Sequence, residues 1–169
     1  MSFKIYKILQ NLIPELNHSI PAENDDFGSF SAWVNQEFEI FHYIELTEYF
    51  DNGIEEDFFF KKLNVNTKQL QVEIGNEIET LFEQFDDDFD THSEESFDEQ
   101  ADVMEQTENI LFNKIQLVAS EHALSLLVVY RENPYWLLVP TTNEDELNLI
   151  VDEFNKAFNQ YGDLNMAIY

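Results

Sequence analysis

The 169-residue chain contains no cysteine, a single arginine, and only four glycines and four prolines. Without cysteine there is no disulfide, no thiolate nucleophile and no cysteine-ligated zinc. Scarce Gly and Pro argue against a turn-rich β-sandwich and for longer elements joined by few tight turns. Basic residues are the second shortage: eight, against 35 acidic ones, for a formal net charge of -27. Binding to DNA or RNA draws on Lys and Arg to displace the counterions of the phosphates, so direct nucleic-acid binding is excluded. An anionic membrane surface repels such a chain for the same reason. No stretch approaches the ~20 apolar residues of a membrane span. The first residues, Met1 to Lys7, lack the apolar run and small-residue cleavage site of a secretory signal, so a cytoplasmic location is expected.

What is abundant is apolar mass. Hydrophobic residues make up 44% of the chain and phenylalanine alone accounts for 16 positions, enough to bury a core in one domain despite the charge. Apolar residues at Ile5, Ile8, Leu9, Leu12 and Ile13 have helical spacing, and Pro14 ends it. Residues 14–30 read as a connecting loop. Ser29 or Ser31 is then expected to cap a second helix running to about Phe50, with Trp33, Val34, Phe38, Phe41 and Ile44 as its stripe. Phe58-Phe59-Phe60 marks a short helix or apolar anchor. Leu70, Ile74, Ile78, Leu81, Phe82 and Phe85 mark a long helix from Thr67, with Gly75 inside it. Ser96-x-x-Glu99 reads as a capping box that opens another long helix with Val103, Ile110, Leu111, Ile115, Val118 and Ala119 on its buried face.

The last third changes character. Leu124–Arg131 and Tyr135–Val139 are continuous apolar runs separated by Glu132-Asn133-Pro134, which predicts a β-hairpin. Thr142 or Asn143 caps a helix from about Glu144 to Tyr161, Gly162 stops it, and Leu164–Tyr169 forms a final strand. The expectation is a single α+β domain over residues 1–169. A mainly helical part (1–121) precedes a β-β-α-β part (122–169), and the antiparallel sheet packs on helices.

Signals for chemistry are weak. Two Glu-x-x-His pairs, Glu15/His18 and Glu39/His42, match half of a di-iron carboxylate pattern, but the first lies between Pro14 and Pro21, where no long helix can run. Asp86-x-Asp88-x-Asp90 starts like a calcium loop, yet Thr91 and Phe97 stand where Gly and Glu are needed. No nucleophile elbow, P-loop or dinucleotide-binding glycine loop occurs. Neither catalysis nor a cofactor or metal is expected.

The feature that remains is an acidic segment. Between Lys68 and Lys114 there is no basic residue and there are fifteen acids. A solvated loop between two helices is one reading of it. The other is an electrostatic docking surface for a basic protein, centred on Glu83, Asp86, Asp87, Asp88, Asp90, Glu94, Glu95, Asp98, Glu99 and Asp102. Phe85, Phe89 and Phe97 among the acids favour the second reading, because a purely solubilising segment has no use for aromatics.

In size, acidity, absence of cysteine, and the succession of a helix-rich start, Leu124–Arg131, Tyr135–Pro140, a capped helix and a terminal strand, the chain resembles the small acidic immunity proteins of bacterial toxin–immunity pairs, including those of contact-dependent inhibition systems. That resemblance implies a cytoplasmic inhibitor that binds one toxin domain, a basic nuclease being the expected target, and it carries over no site residue. A DNA-mimic inhibitor of a DNA-binding or restriction enzyme and a small metal-carboxylate enzyme are the alternatives.

Overall fold

A computed structural model of the chain describes residues 4–22, 26–46, 49, 51–86, 96–159 and 162–169. Ile5, Leu9 and Tyr6 face the core from helix α1 (Lys4–Leu12), and a 3-10 turn follows at Pro14–Leu16, where the proline has no N–H to lose. Helix α2 (Phe27–Val34) starts earlier than expected. Its cap is Asp26, whose Oδ1 accepts from the Ser29 amide at 2.8 Å, rather than Ser29 or Ser31.

The expected continuation of that helix to about Phe50 is overturned. The helix stops at Val34, and Phe41–Tyr43 is instead strand β1. The cause is Asn35. Its side chain bonds the Ile40 amide (3.0 Å), the Phe41 amide (2.8 Å) and the Phe41 carbonyl (2.6 Å), closing a turn that sends the chain back as an edge strand. The apolar stripe was real but divides between two elements: Trp33 and Val34 are buried from a helix, and Phe41 and Ile44 from the sheet region.

Helix α3 (Phe58–Lys62) is a single short helix capped by Asp57. Helices α4 (Thr67–Asp86) and α5 (Ser96–Glu121) occupy the expected positions. Strands β2 (Ser125–Tyr130) and β3 (Tyr135–Val139) form the expected hairpin. Helix α6 (Glu144–Phe158) is capped by Asn143, carries three acids in its first turn and Lys156 in its last, and so complements its own dipole. It ends at Phe158 rather than Tyr161, and strand β4 (Asn165–Ile168) follows.

The sheet is antiparallel throughout, in the order β1-β3-β2-β4. Register places Phe41, Leu137, Leu127 and Ile168 on one face and His42, Trp136, Val128 and Ala167 on the other. The first face meets α2 and α6 through an aromatic cluster: Phe27 packs against Phe41, Tyr135, Phe154 and Phe158 with ring centroids 5.2–6.2 Å apart. Edge-to-face pairs of this kind add about 0.5–1.5 kcal/mol each beyond their buried area. The second face meets α3 through Phe60 against Trp136 and α5 through Gln116, which accepts from the Leu126 amide at 3.0 Å. Both faces are covered, which is why β2 reads as a continuous apolar run rather than an alternating one.

Both sheet edges are blunted in the same way. As Asn35 does for β1, Asn155 of α6 bonds both the amide and the carbonyl of Met166 on β4, at 2.8 and 2.9 Å. An amide side chain stands in for the next strand at each edge and removes a template for edge-to-edge aggregation.

Candidate protein-binding face

Helices α4 and α5 pair as an antiparallel hairpin. Leu70, Ile74, Ile78 and Leu81 of α4 are buried, as are Leu111, Phe112, Ile115 and Ala119 of α5. That seam follows the 3.6-residue period and leaves the intervening positions to solvent. The intervening positions carry the acids. Glu73, Glu77, Glu79 and Glu83 are exposed on α4, and Asp102 and Glu105 on α5. Lys114 bridges Glu77 at 2.5 Å, whereas Glu79, Glu83, Asp102 and Glu105 take part in no ion pair among the described residues. Four large apolar side chains of the two helices are exposed as well: Val72 at 55%, Phe82 at 41%, Met104 at 40% and Leu117 at 58%.

The residues predicted from sequence distribute as follows. Glu83 and Asp102 are exposed on the hairpin. Asp86 is the last residue of α4, and Asp98 and Glu99 lie in the first turn of α5. Asp87, Asp88, Asp90, Glu94 and Glu95 lie outside the described residues, as does most of the calcium-like stretch. Glu79 and Glu105, counted among the fifteen acids of the segment but not among the ten at its centre, are exposed as well.

Like charges leave a signature on this face. Glu108 is half-buried, and its carboxyl is pushed above the usual range, first by burial and then by Glu105 beside it. The Tyr130 hydroxyl is raised as well, by burial and then by Glu108. A carboxyl whose pKa is raised on folding favours the protonated state. Its contribution to stability is present at low pH and is lost as pH rises through the folded-state value. Glu108→Gln is therefore expected to raise the melting temperature at pH 7, and the gain is expected to shrink to nothing as pH falls toward 4. Thermal melts of the two proteins across that range check it, and a gain that grows on acidification contradicts it.

A second polar feature lies beside β1. His42 points from the sheet toward the segment 51–57, where its Nε2 lies 2.9 Å from Oδ2 of Asp57. Both side chains are buried, at 4% and 0% exposure. The other oxygen of Asp57 caps α3 by accepting the Phe60 amide at 2.9 Å. The imidazole stacks near Trp136 at 4.3 Å, and the Trp136 indole donates to the Asn52 carbonyl at 2.8 Å. Asn52 is fully buried and locked amide-to-amide with Gln71 of α4 at 2.9 and 3.1 Å. This network ties β1, α3, α4 and β3 together. The imidazole is held in place but meets no Ser or Thr hydroxyl among the described residues.

The two Glu-x-x-His pairs do not lie along helices. Glu15 bonds Lys62 at 2.5 Å, and that ammonium holds its carboxyl below the usual range, while His18 Nε2 lies 2.7 Å from the Trp33 carbonyl. Glu39 is exposed ahead of β1, and His42 faces Asp57. Among the described residues no group of three or more His, Asp or Glu is placed to hold a metal ion, and no helix is long and apolar enough to cross a membrane.

Fold and face together define an acidic α+β protein whose helical hairpin projects carboxylates, with exposed apolar side chains among them, from a sheet covered on both sides. No family model, curated protein or solved structure matches the chain.

Proposed function

We propose that this chain is a non-catalytic immunity protein that binds and neutralises a basic toxin domain through the acidic face of the α4–α5 hairpin. One observation carries the reading: Glu79, Glu83, Asp102 and Glu105 are exposed and take part in no ion pair among the described residues, and Phe82 and Met104 of the same two helices are exposed too. Unneutralised charge of one sign steers a partner of the opposite sign, and apolar side chains within it supply the area that a partner desolvates on docking. Basic clefts are commonest in proteins that act on nucleic acid, so a nuclease is the expected target, and an acidic protein seated in such a cleft excludes the substrate by occupying its phosphate sites. The cytoplasm is where such an inhibitor works.

The test is growth rescue. The target is expected as the C-terminal domain of a secreted protein encoded beside this chain. Expressed alone, that domain should arrest growth, and co-expression of this chain should restore it. Arrest that persists with both proteins present and soluble overturns the proposal.

A further inference from the structure

We propose that a groove along α4 seats an amphipathic basic helix of the partner, laid lengthwise on Val72 and Gly75 with its cations toward Glu55 and Glu79. This deepens the reading of the chain as a binder of basic protein and rests on it. The groove, of about 350 Å³, is lined by Glu55, Gln71, Val72, Gly75, Asn76 and Glu79. Positions 72, 75, 76 and 79 follow the i, i+3, i+4, i+7 spacing that stacks residues along one side of a helix. Glu55 lines the groove from the segment before α3. That segment is held to α4 where Asn52 and Gln71 exchange amide hydrogen bonds at 2.9 and 3.1 Å.

The groove is apolar where α4 forms its base. Val72 is 55% exposed, more than any other large apolar side chain of α4 among the described residues. Gly75 lies in the interior of a twenty-residue helix, where alanine is the favoured small residue. Lacking a Cβ, it keeps the base of the groove low and lets a second backbone come close. Charge complementarity names the sign of the occupant. No lysine or arginine lines the groove, and neither Glu55 nor Glu79 takes part in an ion pair among the described residues. Charge is also ordered along α4: exposed Lys68 lies one turn before Val72, exposed Glu79 two turns after it, and exposed Glu83 one turn further. The cationic end of the occupant therefore points toward the C-terminal end of α4. An apolar base two turns long, about 10 Å, suits the apolar stripe of a helix with Lys or Arg beside it. An extended segment finds no unpaired backbone there, because the amides and carbonyls of a helix interior are bonded within the helix.

The experiment is an amide and methyl NMR titration of the full chain with a capped, alanine-based helical peptide that carries leucines at i, i+4 and i+7 on one face and lysines beside them. Parallel arms use a peptide of the same composition with its leucines scattered around the helix, and one with glutamates in place of the lysines. The first peptide is expected to shift the Val72 methyls, the Gly75 amide and the Asn76 side-chain amide saturably. The scattered peptide is expected to bind there at least about tenfold more weakly, because it has no apolar stripe to bury, and the glutamate peptide not at all. Val72→Asp adds a carboxylate at an exposed position. It tightens binding if charge alone governs, and is expected instead to weaken it at least about fivefold, as loss of a desolvated valine requires. Gly75→Ala is expected to weaken binding by a similar factor without lowering the melting temperature, since alanine favours the helix. A scattered peptide that binds as tightly, Val72→Asp binding equally or more tightly, Gly75→Ala losing stability or keeping its affinity, or the absence of shifts at the groove each overturns the proposal. The growth-rescue test separates the two readings. A chain that binds the peptide in this groove but does not rescue growth loses the immunity reading and keeps the groove, and one that rescues growth without binding the peptide there loses the groove alone.

Discussion

Asp57→Ala is expected to destabilise the protein by about 3 kcal/mol, a drop in melting temperature of roughly 6–12 °C for a chain of this size. Two losses add. Asp57 Oδ1 caps α3 by accepting the Phe60 amide, and losing such a cap costs about 1 kcal/mol. Asp57 Oδ2 is the partner of His42, and removing it leaves a buried imidazole N–H without that partner. An unpaired buried donor costs about 1–3 kcal/mol. Asp57→Asn keeps an acceptor for the cap and is expected to cost less than half as much. Circular-dichroism melts of the three proteins decide it. A loss below about 1 kcal/mol in the alanine variant would show that water reaches the pair and that it does not fasten β1 to α3.

Neutralising the hairpin, as Glu79→Gln/Glu83→Gln/Asp102→Asn/Glu105→Gln, is expected to slow association with the basic partner by ~10–100-fold at low salt and to leave dissociation nearly unchanged. The asymmetry follows from what charge does at a distance. Exposed carboxylates raise the rate of encounter, whereas the contacts that hold the complex are short-ranged. Asp86→Asn, Asp87→Asn, Asp88→Asn and Asp90→Asn together extend the same test to four further acids of the segment between Lys68 and Lys114. Stability should be equal or higher in either variant, because repulsion is relieved and none of the four hairpin acids forms an ion pair among the described residues. A fall in melting temperature would assign these acids structural partners in place of a docking role.

The parts of the fold legible in the sequence were those with long, uninterrupted periods. Helices α1, α4, α5 and α6 were marked by apolar spacing and by stop or cap residues such as Pro14 and Asn143, and the β2–β3 hairpin by two apolar runs around Asn133-Pro134. The region 31–50 was misread because its apolar residues happen to fall at helical intervals although the chain reverses between Val34 and Phe41. That reversal is dictated by three hydrogen bonds from one side chain, Asn35, which no periodicity can reveal. The same blindness hid β1 and, with it, the four-stranded order, since a three-residue strand is too short to show alternation.

The acidic character of the candidate face was visible in the absence of any basic residue between Lys68 and Lys114. Which of those acids and apolar side chains stand in water required the helices to be packed, because only the buried positions decide which side of each helix is left outside. The His42–Asp57 pair was not legible in the sequence, where His42 entered only through its Glu39-x-x-His42 spacing. His42 and Asp57 are fifteen positions apart, and their meeting depends on β1, whose existence the sequence concealed.

The association rate constant of the unmodified chain with its partner domain, followed as a function of ionic strength, decides whether the acidic helices steer docking. If the acidic hairpin steers docking, the rate approaches ~10⁸ M⁻¹s⁻¹ at low salt and falls at least tenfold as added salt shortens the screening length to about 3 Å, with the neutralised variant showing a nearly flat dependence. A rate that is the same at both extremes of salt, or a variant whose salt dependence matches that of the unmodified chain, would contradict the account.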